Sequence, residues 1–239
     1  MDSENDYAPN FPAPTRNRPL LGLTVLAIED SRYASEAIRL MCLRSGARIR
    51  RADSLRAAGK HLKMYQPSVV IVDLGLPDGF GADLIQDMAH SAARPDVILG
   101  TSGDVDGAQS ALNAGANGFL AKPIETLGVF QEAILSHLPE DRRPMGARVL
   151  PDEKPKLDPI AYRDDMVHIS EVLKELTNPS DLDYVAQFLS GVATLAEDHV
   201  LADAAHSLAL QRKSGAAALS ESAIVADLLR ERLTNRIAI

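Results

Sequence analysis

The chain has 239 residues, enough for one large or two ordinary domains, and its 46% apolar content is that of a globular protein. A net charge of −8, few aromatics and no tryptophan argue against a nucleic-acid-coating surface or a base-stacking platform. No apolar run is long enough to cross a bilayer, the polar and acidic start from Met1 to Asp6 is unlike a secretory leader, and the single Cys42 excludes an intrachain disulfide. These features predict a cytoplasmic protein with no membrane partner.

Residues 1–20 carry Pro9, Pro12, Pro14 and Pro19 among Asn, Asp and Ser, and read as a disordered tail. Leu23–Ile28 reads as a strand ending in Glu29-Asp30, with Ser31 starting a helix that Gly46 closes. Ala47–Ala52 alternates like an outer strand, and Ser54 caps a helix that stops at Pro67. Val69-Val-Ile-Val72 are four β-branched residues in a row, a strand buried on both faces, ended by Asp73 and by a loop with Pro77, Gly79 and Gly81. A helix over 82–89 follows, then a strand at Val97–Gly100 ending in Thr101-Ser102 and a weak helix from Asp104 to Ala114 containing Gly107. Asn117–Ala121 is a last strand before Lys122-Pro123, and Glu125 begins a helix to His137. Five strand–helix alternations imply right-handed crossovers and a parallel sheet with helices on both faces.

Beyond this unit the pattern changes. Residues 139–157 are rich in proline and charge and read as a linker, and 158–239 show no strand pattern. An amphipathic helix is predicted for Pro159–Leu176, with Ile160, Val167, Val172, Leu173 and Leu176 as its apolar side. Asn178–Asp181 is a break and cap, a long Ala/Leu-rich segment from Leu182 bends near Gly191, and a final helix begins near Ala217. The sum is a bundle of three to five helices.

The informative side chains sit at strand C-terminal ends, which in a parallel sheet share one edge. Taken alone, Asp73 reads equally well as a helix cap. Together, Glu29, Asp30 and Asp73 repel one another and want a hard divalent cation, most simply Mg²⁺. Lys122 adds a positive charge and Thr101 a hydroxyl donor, so the set could hold a phosphoryl group on Asp73 as nucleophile. Pro123, after a cis bond, would aim Lys122 inward.

Glu29-Asp30, Val72-Asp73, Leu76-Pro77-Asp78-Gly79, Thr101-Ser102 and Lys122-Pro123, over residues 21–138, resemble the receiver domain of bacterial two-component response regulators. The resemblance implies an α/β flavodoxin-like fold with sheet order 2-1-3-4-5, and a phosphoacceptor signalling protein rather than an enzyme. Asp73 would be phosphorylated by a histidine kinase or phosphotransfer protein. Asp30 and Asp73 would bind Mg²⁺ directly, Glu29 through water, and Gly75 through its carbonyl. Thr101 and Lys122 would contact the phosphoryl group and Phe119 would be the aromatic switch. Gly75 departs from the polar or bulky residue many relatives carry there.

From Glu140 onward 12 basic residues face 17 acidic ones, the wrong sign for a DNA reader, and no helix-turn-helix spacing stands out. Ala204-Ala-His206-Ser-Leu208 weakly resembles a histidine-phosphotransfer bundle, although Ala209 and Leu210 replace the usual Lys-Gly. His199, Asp203 and His206 also share a helix side at metal-edge spacing, without a second cluster to complete a shell. Three roles compete: a switch whose helical half binds a downstream protein or a second copy, a phosphorelay protein phosphorylated on His206, and a DNA-binding regulator.

Overall fold

The computed structural model describes residues 13–104, 106–146, 148–176, 178–214 and 218–234. Its first half contains β1 (Thr24–Ile28), α1 (Arg32–Ser45), β2 (Arg48–Ala52), α2 (Leu55–Met64) and β3 (Val69–Asp73). A two-residue hairpin, β4 (Gly75–Leu76) with β5 (Gly79–Phe80), leads to α3 (Gly81–Ala89), β6 (Val97–Ser102), α4 (Gly107–Asn113), β7 (Gly118–Ala121) and α5 (Leu127–Leu135). The five long strands pair in parallel in the order β2-β1-β3-β6-β7; numbered without the hairpin, this is the expected 2-1-3-4-5. The flavodoxin-like receiver fold is thus present, and among the described residues beyond it the regular elements are helical.

The central strand is buried along its whole length because both faces are covered. On one side Val25, Val69, Ile71, Val97 and Leu99 pack with Ile38 and Met41 of α1 and with Phe130 and Ile134 of α5. On the other, Leu26, Val70, Val72 and Ile98 pack with Ala58, Ile85, Met88 and Ala111 from α2, α3 and α4. Local chemistry sets the ends. Ser31 accepts the Ala34 N–H to start α1, and Gly46 closes it with φ +87°. Asp78 reaches back from the hairpin to accept the N–H groups of Leu55 and Arg56, tying the loop after β3 to the start of α2.

Two sequence-drawn boundaries need correction. Leu20, placed in the tail, is fully buried and donates its N–H to Ser45, because it caps the α1–α5 side of the core; residues 1–12 of that tail lie outside the described residues. The segment drawn as a linker runs as a strap along α5: the N–H groups of Leu127 and Gly128 donate to the carbonyls of Glu153 and Pro151.

The second half is a four-helix bundle of α6 (Pro159–Lys174), α7 (Pro179–Leu195), α8 (His199–Lys213) and α9 (Leu219–Thr234). Met166, Ile169, Val185, Leu189, Val192, Leu201, Ala205, Leu208, Val225 and Leu229 fill its core. The expected apolar side of α6 holds in part: Val172 and Leu173 pack on the bundle core, but Ile160 is 61% exposed and Val167 39%, whereas Asp165 is buried. The expected bend at Gly191 is absent. Gly191 stays inside α7, and the chain turns at Ala196–Asp198, where Glu197 takes φ +58°.

Candidate functional site

Strand register brings the tips together. Val72 lies beside Ile28, so Glu29 and Asp30 emerge next to Asp73; Asp73 is in register with Thr101, and Ser102 with Ala121, which places Lys122 across the same edge. Carboxylate oxygens of Glu29, Asp30 and Asp73 all lie within 4.8 Å of one another. Lys122 Nζ donates to Asp73 Oδ2 at 2.7 Å and lies 2.6 Å from Glu29 Oε2. The Gly75 N–H donates to Asp73 Oδ1, and the Ser31 N–H reaches Glu29 Oε1 and Asp30 Oδ1. Lys122 precedes a cis peptide to Pro123.

The electrostatics are those of an acid cluster short of positive charge. Burial pushes the Glu29 carboxyl up to about 8 against the pull of Lys122, with Asp73 and Asp30 adding to the rise. Burial and then Asp73 push Asp30 up to about 7, opposed by a hydrogen bond from Tyr184. Burial works against the Lys122 ammonium, but Asp73 and Glu29 outweigh it and hold it charged. Among the described residues, Glu29 Oε2 is the one buried side-chain oxygen without a hydrogen bond of good geometry, despite its ion pair. Three converging carboxylates facing a single ammonium are the donor set a hard cation such as Mg²⁺ takes.

The remaining expected residues divide. The Thr101 hydroxyl is fully buried but donates to the Leu120 carbonyl at 2.7 Å rather than toward Asp73. Phe119 is half-buried one layer beneath: its ring carbons would lie 3.1–3.5 Å from a Cβ built on Gly100 or Gly107, so these two glycines make its seat. His206 is on the exposed side of α8 and takes no part in the crevice.

What the sequence reading missed is a cover. Helix α7 lies across the strand tips. Tyr184 Oη donates to Asp30 Oδ2 at 2.5 Å, and the Gln187 carboxamide sits against Gly75 with Nε2 3.4 Å from Ser102 Oγ. A Cβ on Gly191 would lie 3.8 Å from Lys122 Cδ. From α6, the buried Asp165 accepts the Ser31 hydroxyl and the N–H groups of Arg32 and Tyr33, capping the start of α1. The signal available was spacing: Tyr184, Gln187 and Gly191 fall at i, i+3 and i+7, along the edge of the helix side whose Phe188 joins the bundle core. Three spaces border the site. One of about 20 Å³ lies among Asp73, Lys122, Gln187 and Phe188, and another of about 20 Å³ among Thr101, Lys122, Gly191 and Leu195. A groove of about 1,030 Å³ opens beside Glu29 and Asp30, with Asp158, Asp164, Asp165 and Glu171 along its α6 side.

The profile of the response regulator receiver domain matches residues 25–133. The KDP operon transcriptional regulatory protein KdpE of Escherichia coli K12 is 32% identical over 99 residues, covering 41% of this chain and 44% of KdpE; the match spans less than half of that relative. Among solved structures, the chemotaxis response regulator CheY4 of Vibrio cholerae is similar at 21% identity and TM-score 0.44, covering 48% of this chain and 98% of that one. The receiver domain of sensor histidine kinase PA1611 from Pseudomonas aeruginosa PAO1, with magnesium coordinated in its active site cleft, is similar at 20% identity and TM-score 0.45, covering 48% and 96%.

Proposed function

Residues 25–133 of this chain are a response regulator receiver domain, and from that premise we propose that the chain is a phosphorylation switch in a two-component system, with Asp73 as the phosphoacceptor. The convergence of Glu29, Asp30, Asp73 and Lys122 on one crevice carries this reading. A carboxylate oxygen of Asp73 attacks the phosphorus of a phosphohistidine. The P–N bond breaks and the imidazole leaves with a proton. Lys122 stays at Asp73 and offsets the charge of the incoming oxygens. Glu29, Asp30, Asp73 and the Gly75 carbonyl would hold Mg²⁺, which supplies neutralisation of phosphoryl charge. Thr101 would turn its hydroxyl from Leu120 to a phosphoryl oxygen, loosening the seat of Phe119.

The phosphodonor partner is a sensor kinase or phosphotransfer protein, and the four-helix half is a protein-binding output with a second copy among its candidate partners. Its net negative charge weighs against DNA as the partner. Exposed His206 on a helix of a four-helix bundle supports a second reading, a phosphorelay step through that side chain; acid-labile label on an Asp73→Asn chain identifies it. The test of the first reading is labelling by phosphoramidate with Mg²⁺. The expected result is base-labile phosphate that Asp73→Asn abolishes and EDTA suppresses. Undiminished label on Asp73→Asn with the same base-lability sinks it.

A further inference from the structure

The receiver crevice is built to take a phosphoryl group and a metal, yet the side chains of α7 already fill it. A Cβ added to Gly75 would lie 2.4 Å from both the oxygen and the nitrogen of the Gln187 carboxamide, so Gln187 occupies the space that a side chain at position 75 would use. Tyr184 holds one oxygen of Asp30. The cavity left beside Asp73 and Lys122 has about 20 Å³, room for one water. A phosphoryl group brings three oxygens, and Mg²⁺ keeps several of its own waters when bound by carboxylates. The groove of about 1,030 Å³ is lined by Glu29 and Asp30 but not by Asp73, so it offers a cation an approach that it does not offer a phosphodonor.

The contact is mixed in composition. Tyr184, Gln187 and Asp165 from the helices meet Asp30, Ser31, Gly75 and Ser102 of the receiver through polar atoms, while Tyr33 packs on the bundle core and Leu195 on the receiver core. Its rim holds two exposed ion pairs, Arg32–Asp164 at 2.7 Å and Lys213–Asp104 at 3.5 Å, of the kind that contributes little. Each half keeps its own apolar core, the arrangement in which relative motion of two intrachain units is the default expectation.

We propose that the α6–α7 face is a crevice-binding surface whose partner is the chain's own phosphoacceptor site, so that docked helices and a phosphoryl group on Asp73 exclude one another. Docking slows phosphorylation; phosphorylation frees Tyr184 and Gln187 from the crevice. The inference rests on Asp73 being the phosphoacceptor.

The experiment uses the full chain and phosphoramidate with Mg²⁺. Initial labelling rates are compared for wild type, Gln187→Ala, Tyr184→Phe and Gly75→Ala, with amide exchange across 179–195 read on the same samples. Losing one docking contact is expected to raise the rate roughly fivefold. Gly75→Ala and Gln187→Ala combined should give less than the product of their separate effects, because each relieves or removes the same contact. Beryllium fluoride with Mg²⁺ should increase exchange across α7 in the wild type. Equal labelling rates in all four chains overturn the proposal, as does unchanged α7 exchange. A Gln187→Ala chain with normal labelling but slower phosphate loss also overturns it and assigns Gln187 to hydrolysis. Failure of the underlying reading looks different: no chain then carries Asp73-dependent label, and the competition falls with it.

Discussion

Gly81 shows how closely a single position can govern this site. A Cβ there would lie 2.0 Å from the carbonyl oxygen of Asp73 and 2.8 Å from its carbonyl carbon, which are backbone atoms that cannot swing aside. The Gly81 N–H also donates to the Leu74 carbonyl, closing the loop that follows Asp73. Gly81→Ala is therefore expected to cost about 2–4 kcal/mol in urea unfolding and to lower Asp73 labelling in whatever folded protein remains. Gly81 was visible in the sequence as loop punctuation, and so was the Asp73 that it serves. What the sequence did not disclose is that Tyr184 and Asp165, a helix tyrosine and a helix carboxylate with ordinary polar neighbours, end at the strand tips. Their partners lie 154 and 134 residues away, and no local periodicity encodes a hydrogen bond across such a separation.

At the scale of elements, the bundle depends on one three-helix junction. Asp198, at the N-cap of α8, accepts both Arg232 Nε and Nη2 from α9 at 2.8 Å and the Tyr162 hydroxyl from α6 at 2.8 Å. Hydrogen bonds from Arg232 hold its carboxyl down at about 2, below the ordinary Asp value. A depressed carboxyl contributes stability that is fully present above its unfolded pKa and is lost as pH falls through the folded one. Asp198→Asn is expected to lower the stability of the full chain by about 2–3 kcal/mol at pH 7. That difference from wild type should shrink as the pH of the urea titrations falls from about 4 toward 2. The same junction explains the misplaced bend. Glycine is the natural place to look for a turn, but Gly191 stays helical inside α7, and the turn falls on Glu197, whose positive φ no composition rule anticipates. Strand and helix order in the receiver was legible because its apolar runs are short, β-branched and punctuated; the buried side of α6 was not, because a buried Asp165 interrupts the apolar count.

For the molecule as a whole, the proposed Mg²⁺ site would couple metal binding to folding, through carboxylates that separate strands and α7 bring out of water. Glu29 at about 8 and Asp30 at about 7 are raised above their unfolded values, so the stability they contribute is present at low pH and lost as pH rises through that window. Mg²⁺ requires the charged forms, so the gain in melting temperature on adding it should be small at pH 6 and larger at pH 8. Calorimetric melts with and without Mg²⁺ at both values check this, and a gain that falls with pH contradicts it. Strand–helix alternation before residue 138 and its absence after 158 drew the sequence-level division into halves. Their docking was not legible there, since residues that meet across it, Ser31 with Asp165 and Asp30 with Tyr184, lie 134 and 154 positions apart.

The strap along α5 has a bearing on how the halves would come apart. Its last bond to α5 is at Glu153, and α6 begins at Pro159, with Asp158 capping it. About five residues of extended chain reach roughly 17 Å at most, so a released bundle stays on a short leash. Its local concentration near the crevice is then of millimolar order, and recapture after phosphate loss becomes a first-order event set by geometry, insensitive to how much of the protein a cell contains.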